Sequence, residues 1–266
     1  MPELHTIVCV KVVPKSEEIR VDAETMLLVR EEVRSEINPP DMNALEMAID
    51  LKNRHGGRVD ILSMGPPSCE SILRAGLAMG ADHIYLLSDR ELGGADTLAT
   101  TYTLTQGIRK IGGVDLIFCG EESADGATGQ VPAGLAEWLA VGQLTLLTQV
   151  DVDMGLRVGT GRREVKGGYE ILEVPLPCVV SVKTACNEPR FMDFQRKPWA
   201  FESEGALTLW NAGDLGADPD YIGLPGSPTN VSRLVEAPTR LRRRKFLHGS
   251  PEEIADQLAA ILNEAL

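Results

Sequence analysis

Val114-Asp-Leu-Ile-Phe-Cys119, continuing into Gly120-Glu-Glu-Ser-Ala-Asp-Gly-Ala-Thr-Gly-Gln130, is the stretch on which the fold turns. A near-continuous apolar run of strand length gives way to small, polar and glycine-rich residues. Residues 131–139 then return to a short helical pattern. A buried strand that passes through a glycine-rich loop into a helix is one βα step of a wound sheet.

The same step recurs on the N-terminal side. Thr6-Ile-Val-Cys-Val-Lys-Val-Val13 reads as one strand closed by Pro14. Leu45, Met47, Ala48 and Leu51 sit at helical spacing in residues 43–55, and Gly56-Gly57 stops that helix. Val59-Asp-Ile-Leu-Ser-Met64 is the next strand, and Ser68 is a natural N-cap for a helix that runs to Met79 and ends at Gly80. His83-Ile-Tyr-Leu-Leu87 and residues 96–111 supply a further strand and helix. The strands are apolar throughout rather than at alternate positions, as strands covered on both faces are. The pattern predicts an α/β fold, a Rossmann-like parallel sheet with helices on both faces.

On the C-terminal side the style changes. Residues 144–152, 162–165, 169–174 and 178–182 read as strands joined by glycine-containing turns such as Gly167-Gly168, an antiparallel extension of the sheet. Beyond position 186 the periodicity fades, and six prolines from Pro189 to Pro238 lie among charged residues. That composition predicts an extended arm over 187–248, followed by a helix over 251–266 with Ile254, Leu258, Ile261 and Leu262 on one face. The expected division is a nucleotide-binding α/β domain over 1–186, then a partner loop, arm and C-terminal helix over 187–266 for contact with another chain.

Composition narrows the function. The 266 residues carry 39 acidic against 26 basic side chains, a net charge of −13. Such a balance argues against a general nucleic-acid binder, which needs clustered cations. One basic cluster, Arg240 with Arg242, Arg243, Arg244 and Lys245, either docks an acidic partner or is a solvated segment. The five cysteines, Cys9, Cys69, Cys119, Cys178 and Cys186, are scattered without a C-x-x-C pair and read as reduced thiols. No apolar run approaches the roughly 20 residues that cross a bilayer. The start, Met-Pro-Glu-Leu-His, lacks a secretory pattern, so a cytoplasmic location is expected. The four histidines lie apart from any plausible nucleophile, and neither a G-x-S-x-G elbow nor an H-E-x-x-H pair occurs. Glu121, Glu122 and Asp125 read as solvated or capping carboxylates rather than metal ligands. A chain without proton-transfer machinery points to a carrier or binder.

In wound sheets, ligands sit beyond the C-terminal strand ends where the strand order reverses. Four segments belong there: 9–11, 38–41, 64–67 and 120–130. The last is the most informative. Gly126 and Gly129 permit close backbone approach, Ser123, Thr128 and Gln130 add polar side chains, and exposed N–H groups at the following helix start favour a phosphate. The alternative is an ordinary connection capped by Asp125 and Thr128. The loop is neither a Walker loop nor a G-x-G-x-x-G fingerprint.

Across nearly the whole chain these segments resemble the β subunit of electron-transfer flavoproteins. The resemblance is carried, in order, by Val10-Lys-Val-Val-Pro14, Ile37-Asn-Pro-Pro-Asp41, Ala44-Leu-Glu-Met-Ala-Ile49, Met64-Gly-Pro66, Leu77-Ala-Met-Gly-Ala-Asp82, Asp125-Gly-Ala-Thr-Gly-Gln130, Val174-Pro-Leu-Pro-Cys-Val-Val180 and Asn187-Glu-Pro-Arg190. It implies a heterodimer with an FAD-carrying α subunit and an adenine-nucleotide site in this chain. By position, the nucleotide contacts it implies are Cys9, Asn38, Pro39, Pro40, Asp41, Met64, Thr97, Ser123, Ala124, Asp125, Gly126, Ala127, Thr128, Gly129, Gln130 and Val131. Many family members hold AMP there, whereas a bifurcating branch holds a second FAD that NADH reduces. Gly93-Gly-Ala-Asp-Thr-Leu-Ala-Thr100 and residues 123–132 are similar to that branch, with hydroxyls at Thr97, Thr100 and Thr101 for a pyrophosphate or flavin edge, so FAD is expected in preference to AMP.

The resemblance also implies that the segment after Asn187-Glu-Pro-Arg190 anchors a partner dehydrogenase, an acyl-CoA or related enzyme, with ferredoxin as a further acceptor. Here that segment offers Phe191, Met192 and Phe194, and it is shorter than and unlike the pattern of members that serve mammalian-type acyl-CoA dehydrogenases. Glu164 matches a family glutamate at the contact with the flavin domain. Two other readings remain at this point, a nucleotide-binding sensor module and a stand-alone nucleotide-dependent enzyme. The long arm speaks against both.

Overall fold

The computed structural model describes residues 3–15, 34–229 and 246–265. The chain divides into a large unit, residues 1–232, and a small one, residues 233–266. The large unit begins with β1 (His5–Cys9), β2 (Val12–Pro14), β3 (Ser35–Ile37), α1 (Pro39–His55) and β4 (Arg58–Met64). It continues with α2 (Glu70–Met79), β5 (His83–Leu87), α3 (Thr97–Ile111), β6 (Leu116–Gly120) and α4 (Val131–Leu139). Then come β7 (Gly142–Asp153), β8 (Val158–Val165), β9 (Gly168–Pro175), β10 (Cys178–Val182), α5 (Lys197–Glu202), β11 (Leu207–Trp210) and α6 (Ala212–Leu215).

Nine strands form one sheet in the order β11-β5-β4-β1-β6-β10-β7-β8-β9. Neighbours are parallel from β11 through to β7, and β7, β8 and β9 are antiparallel. Side chains alternate between two cores. Val8, Ile61 and Phe118 face one way, towards Leu45, Leu51, Leu73 and Leu77 of α1 and α2. Ile7, Leu62 and Ile117 face the other way, towards Leu104, Ile108 and Leu135 of α3 and α4. The parallel sheet covered on both faces is therefore as the apolar runs predict. Phe118 is fully buried at its centre, where truncation to alanine costs about 3–5 kcal/mol.

Four sequence expectations need correction. The strand over 6–13 is broken: β1 ends at Cys9, and Val12–Pro14 pairs antiparallel with Ser35–Ile37 in a separate ribbon. Ser68 does not cap α2, because residues 67–69 first make a 3-10 turn and the helix begins at Glu70. Residues 178–182 are parallel and central, between β6 and β7, with all five residues buried. Burial on both faces explains their unbroken Cys-Val-Val-Ser-Val pattern.

The fourth correction concerns the arm. Its first part is folded onto the sheet: β11 extends the edge beside β5, and Ala200, Ala206, Ala212, Leu215 and Ile222 are buried. Small side chains on very short elements make these contacts, so no periodicity announces them. The basic cluster at 240–245 lies outside the described residues. In the small unit α7 (Pro251–Ala265) forms as the pattern predicts. Ser250 and Glu253 close its start, the Ser250 N–H donating to Glu253 Oε2 at 2.8 Å and the Glu253 N–H to Ser250 Oγ at 3.3 Å.

Candidate functional site

From β1 the chain moves to β4 on one side, while β6 lies on the other side of β1. The strand order therefore reverses at the C-terminal ends of β1 and β6, where a wound sheet opens a crevice. Asp41, in the first turn of α1, ties these ends together. Its Oδ2 accepts the Lys11 N–H at 2.8 Å and its Oδ1 accepts the Gly120 N–H at 3.1 Å. A Cβ on Gly120 would lie 2.5 Å from Asp41 Oδ1 and 2.6 Å from Pro40 Cβ, so only glycine fits at that strand end. Burial pushes the Asp41 carboxyl up to about 7, against the hydrogen bonds from Lys11, Asn38 and Gly120 that favour its charge.

Asn38 holds the N-cap position of α1, yet its side chain makes no cap hydrogen bond. It turns to the glycine-rich loop instead. Nδ2 donates to the Glu122 carbonyl at 2.9 Å, and Oδ1 accepts the Ala124 N–H at 3.0 Å. The loop is thus hydrogen-bonded across its first half as a strand partner would be. Ser123 then turns it back: the Ala127 N–H reaches the Ser123 carbonyl at 2.8 Å, and the Gly126 N–H reaches Ser123 Oγ at 3.3 Å. Ala127 and Gly129 adopt φ of +45° and +62°. Residues 124–130 are exposed. Among the described residues, the N–H groups of Thr128, Gly129 and Val131 find no acceptor within the chain. Exposed, unsatisfied amides at a helix start suit a phosphate oxygen, so the donor set fits the phosphate of a nucleotide.

The remaining expected contacts fall around this loop. Cys9 ends β1, and Cys119, beside it on β6, has a thiol raised well above its ordinary value by its hydrogen bond with Cys9 and by burial. Pro39 and Pro40 open α1, and Met64 is half-buried at the end of β4. Thr97 begins α3, with its hydroxyl 3.5 Å from that of Thr128. The Gln130 N–H lies 3.5 Å from the Thr128 hydroxyl, and Val131 is the first residue of α4. Thr101 is not available to a ligand: its buried hydroxyl donates to the Leu98 carbonyl at 2.9 Å within its own helix.

Glu164 lies apart from the crevice, on β8, where its carboxylate is 3.4 Å from Lys183 Nζ. Phe191 and Phe194 are 95% and 86% exposed, and Met192 is exposed at 38%. Two polar residues of α1, and one beyond it, matter more than the sequence suggests. Asn43 Nδ2 donates to the Asn187 carbonyl at 2.9 Å, the Asn187 side chain returns a bond to the Asn43 carbonyl at 3.0 Å, and Glu46 holds Arg190. The helix spacing of Asn43 and Glu46 puts both on one face, but only the fold brings residues 187–190 to that face. The one beyond it is Lys11, past the end of β1, whose Nζ donates to Asp125 Oδ1 at 2.6 Å. Among the described residues there is no group of three or more His, Cys, Asp or Glu side chains placed to hold a metal, and no helix is long and apolar enough to cross a membrane.

These features define a doubly wound α/β protein with a glycine-rich loop built into its switch point. Residues 25–206 match the electron transfer flavoprotein domain. The chain is 38% identical over 262 residues to the caffeyl-CoA reductase–Etf complex subunit CarD of Acetobacterium woodii, covering 98% of each chain. It is 42% identical over 231 residues to the electron transfer flavoprotein subunit beta of Clostridium acetobutylicum, covering 86% of this chain and 87% of that one. It is 41% identical over 272 residues to protein FixA of Bradyrhizobium diazoefficiens, covering 99% of this chain and 91% of the other. The chain belongs to the electron transfer flavoprotein family and is a β-type electron-transfer subunit.

Proposed function

We propose that this chain is one half of a heterodimeric electron-transfer flavoprotein and that its switch-point crevice holds FAD rather than AMP. The observation that carries the nucleotide reading is the loop over 123–131, tied down by Asn38 in its first half and presenting free N–H groups in its second. Asp41 and Asn38 set the loop against β1, Gly126 and Gly129 leave room for close approach, and Met64 offers an apolar surface to an adenine ring. FAD, when bound, supplies hydride acceptance from NADH and one-electron transfer onward. The chain's own part is to position the nucleotide and to satisfy its phosphates. The similarity of residues 93–100 and 123–132 to the NADH-oxidising, bifurcating branch supports FAD.

The partner of this chain is an FAD-binding α subunit. Residues 187–266 supply much of the partner-facing surface, with Phe191, Met192, Phe194 and Glu164 as contacts. An acyl-CoA or related dehydrogenase and a ferredoxin-like acceptor are the redox partners, in the cytoplasm. Acid extraction of the purified heterodimer tests the cofactor assignment. Two FAD per heterodimer, with NADH-dependent bleaching of flavin absorbance, is the expected result. One FAD with one AMP overturns the second-flavin reading and leaves the nucleotide site standing.

A further inference from the structure

Lys11 lies just past the end of β1, and its backbone is held on both sides. Its N–H donates to Asp41 Oδ2 at 2.8 Å and its carbonyl accepts the Asn38 N–H at 2.9 Å. From that fixed root Nζ reaches the glycine-rich loop, donating to Asp125 Oδ1 at 2.6 Å and lying 3.4 Å from Ser123 Oγ. A Cβ on Gly126 would stand 4.0 Å from the same Nζ. The lysine and aspartate side chains are 47% and 36% exposed, and an ion pair so open to water is easily exchanged. Although burial opposes it, the Lys11 hydrogen bond holds the Asp125 carboxyl below its usual range. The free N–H groups of Thr128, Gly129 and Val131 follow in the same loop.

We propose that Lys11 is a phosphate-binding residue of this crevice and that Asp125 is its internal competitor, released when a nucleotide phosphate takes the aspartate's place. The inference rests on the nucleotide reading of the site. A terminal phosphate such as that of AMP carries more charge than a carboxylate and offers three acceptor oxygens, and the pyrophosphate of FAD spreads about two charges over its non-bridging oxygens. An ammonium group with three rotatable donors follows such a group without a fixed geometry. Lys11 and the loop amides then hold one anion between them. The cation adds nothing to the binding of an unphosphorylated nucleoside, so the exchange selects for phosphate.

The test is a calorimetric titration of the full-length heterodimer, dialysed free of exchangeable nucleotide, with AMP, with FAD and with adenosine. Lys11→Met should weaken AMP binding about tenfold, the worth of one charge-assisted contact, and leave adenosine within about twofold. Lys11→Arg should restore most of the AMP affinity, and Asp125→Asn should raise it about threefold by removing the competitor. Equal losses for AMP and adenosine in Lys11→Met would make Lys11 a loop staple and overturn the proposal. So would an unchanged AMP affinity in a variant whose circular dichroism matches the parent. Wild-type protein that binds neither AMP, FAD nor adenosine would overturn the nucleotide reading and this proposal together, a result distinct from either of the first two.

Discussion

Arg190 holds Glu46 by both carboxylate oxygens: Nε and Nη2 each donate at 2.8 Å, and the Arg190 backbone N–H adds a third bond at 3.0 Å. The pair spans 144 positions of sequence and fixes the root of the segment that carries Phe191 and Phe194. Burial works against the Glu46 charge, but the Arg190 hydrogen bonds keep its carboxyl below the ordinary range. Arg190→Ala should cost about 1–3 kcal/mol in urea denaturation, because it strands a mostly buried carboxylate. A variant as stable as the parent would show that the contact is ornamental.

Asp41 predicts a pH dependence of unusual sign for a carboxylate. Its folded value of about 7 stands well above the ordinary value of 3.8, so between those pH values the folded state holds a proton that the unfolded state has released. The stability linked to that proton is fully present below about pH 4. It is lost as pH rises towards 7, and amounts to about 4 kcal/mol over the whole span. The unfolding free energy of wild type minus that of Asp41→Asn should therefore fall as pH rises from about 4 to 7 and then level off. A constant difference across that range would refute the assignment, and a carboxyl 13C titration provides an independent check.

Gly126 and Gly120 should separate binding from folding. A Cβ at Gly126 meets Ser123 Oγ at 3.1 Å and no backbone, and the loop there is exposed. Gly126→Val is expected to leave the circular dichroism spectrum unchanged and to lower co-purified nucleotide several-fold. Gly120→Ala drives its methyl into Asp41 and Pro40, so it should destabilise the protein by about 1–3 kcal/mol, as overpacking does. Full nucleotide occupancy in folded Gly126→Val would remove the loop from the site.

Co-expression with an FAD-binding α subunit should yield a 1:1 heterodimer with a higher Tm than the isolated chain, since a partner that binds only the native state stabilises it. Exposed Phe191 and Phe194 motivate this expectation. An isolated chain whose melting is unaffected by added partner would count against the heterodimer.

The parallel half of the fold is legible because Ile7, Val8, Ile61, Leu62, Ile117 and Phe118 sit in apolar runs that only a doubly covered sheet explains. The loop over 120–130 is legible for a related reason: its glycines interrupt a strand-to-helix step at a ligand-binding edge. Lys11 was harder to see, because a lysine at a strand end looks like any solvated lysine until Asp125 is placed 2.6 Å from it. The bonds from Asn43 and Glu46 to residues 187–190 are invisible for another reason. They join groups far apart in sequence, and no local preference of either partner records the other. The folding of residues 200–222 onto the sheet is not legible because Ala200, Ala206 and Ala212 bury little surface each and follow no period.

The place of β10 has a consequence for how the molecule comes into being. In the sheet order it is the strand that joins β6 to β7, yet residues 178–182 emerge from the ribosome after both. Until they do, the parallel strands β5, β4, β1 and β6 and the β7-β8-β9 hairpins have no ladder between them. Each nascent half presents an unpaired edge, and such edges invite wrong pairings. Closing the gap requires a contact of long sequence separation, the kind that slows folding. The step that joins the two parts of the sheet is therefore the late insertion of Cys178–Val182 between two strands already made.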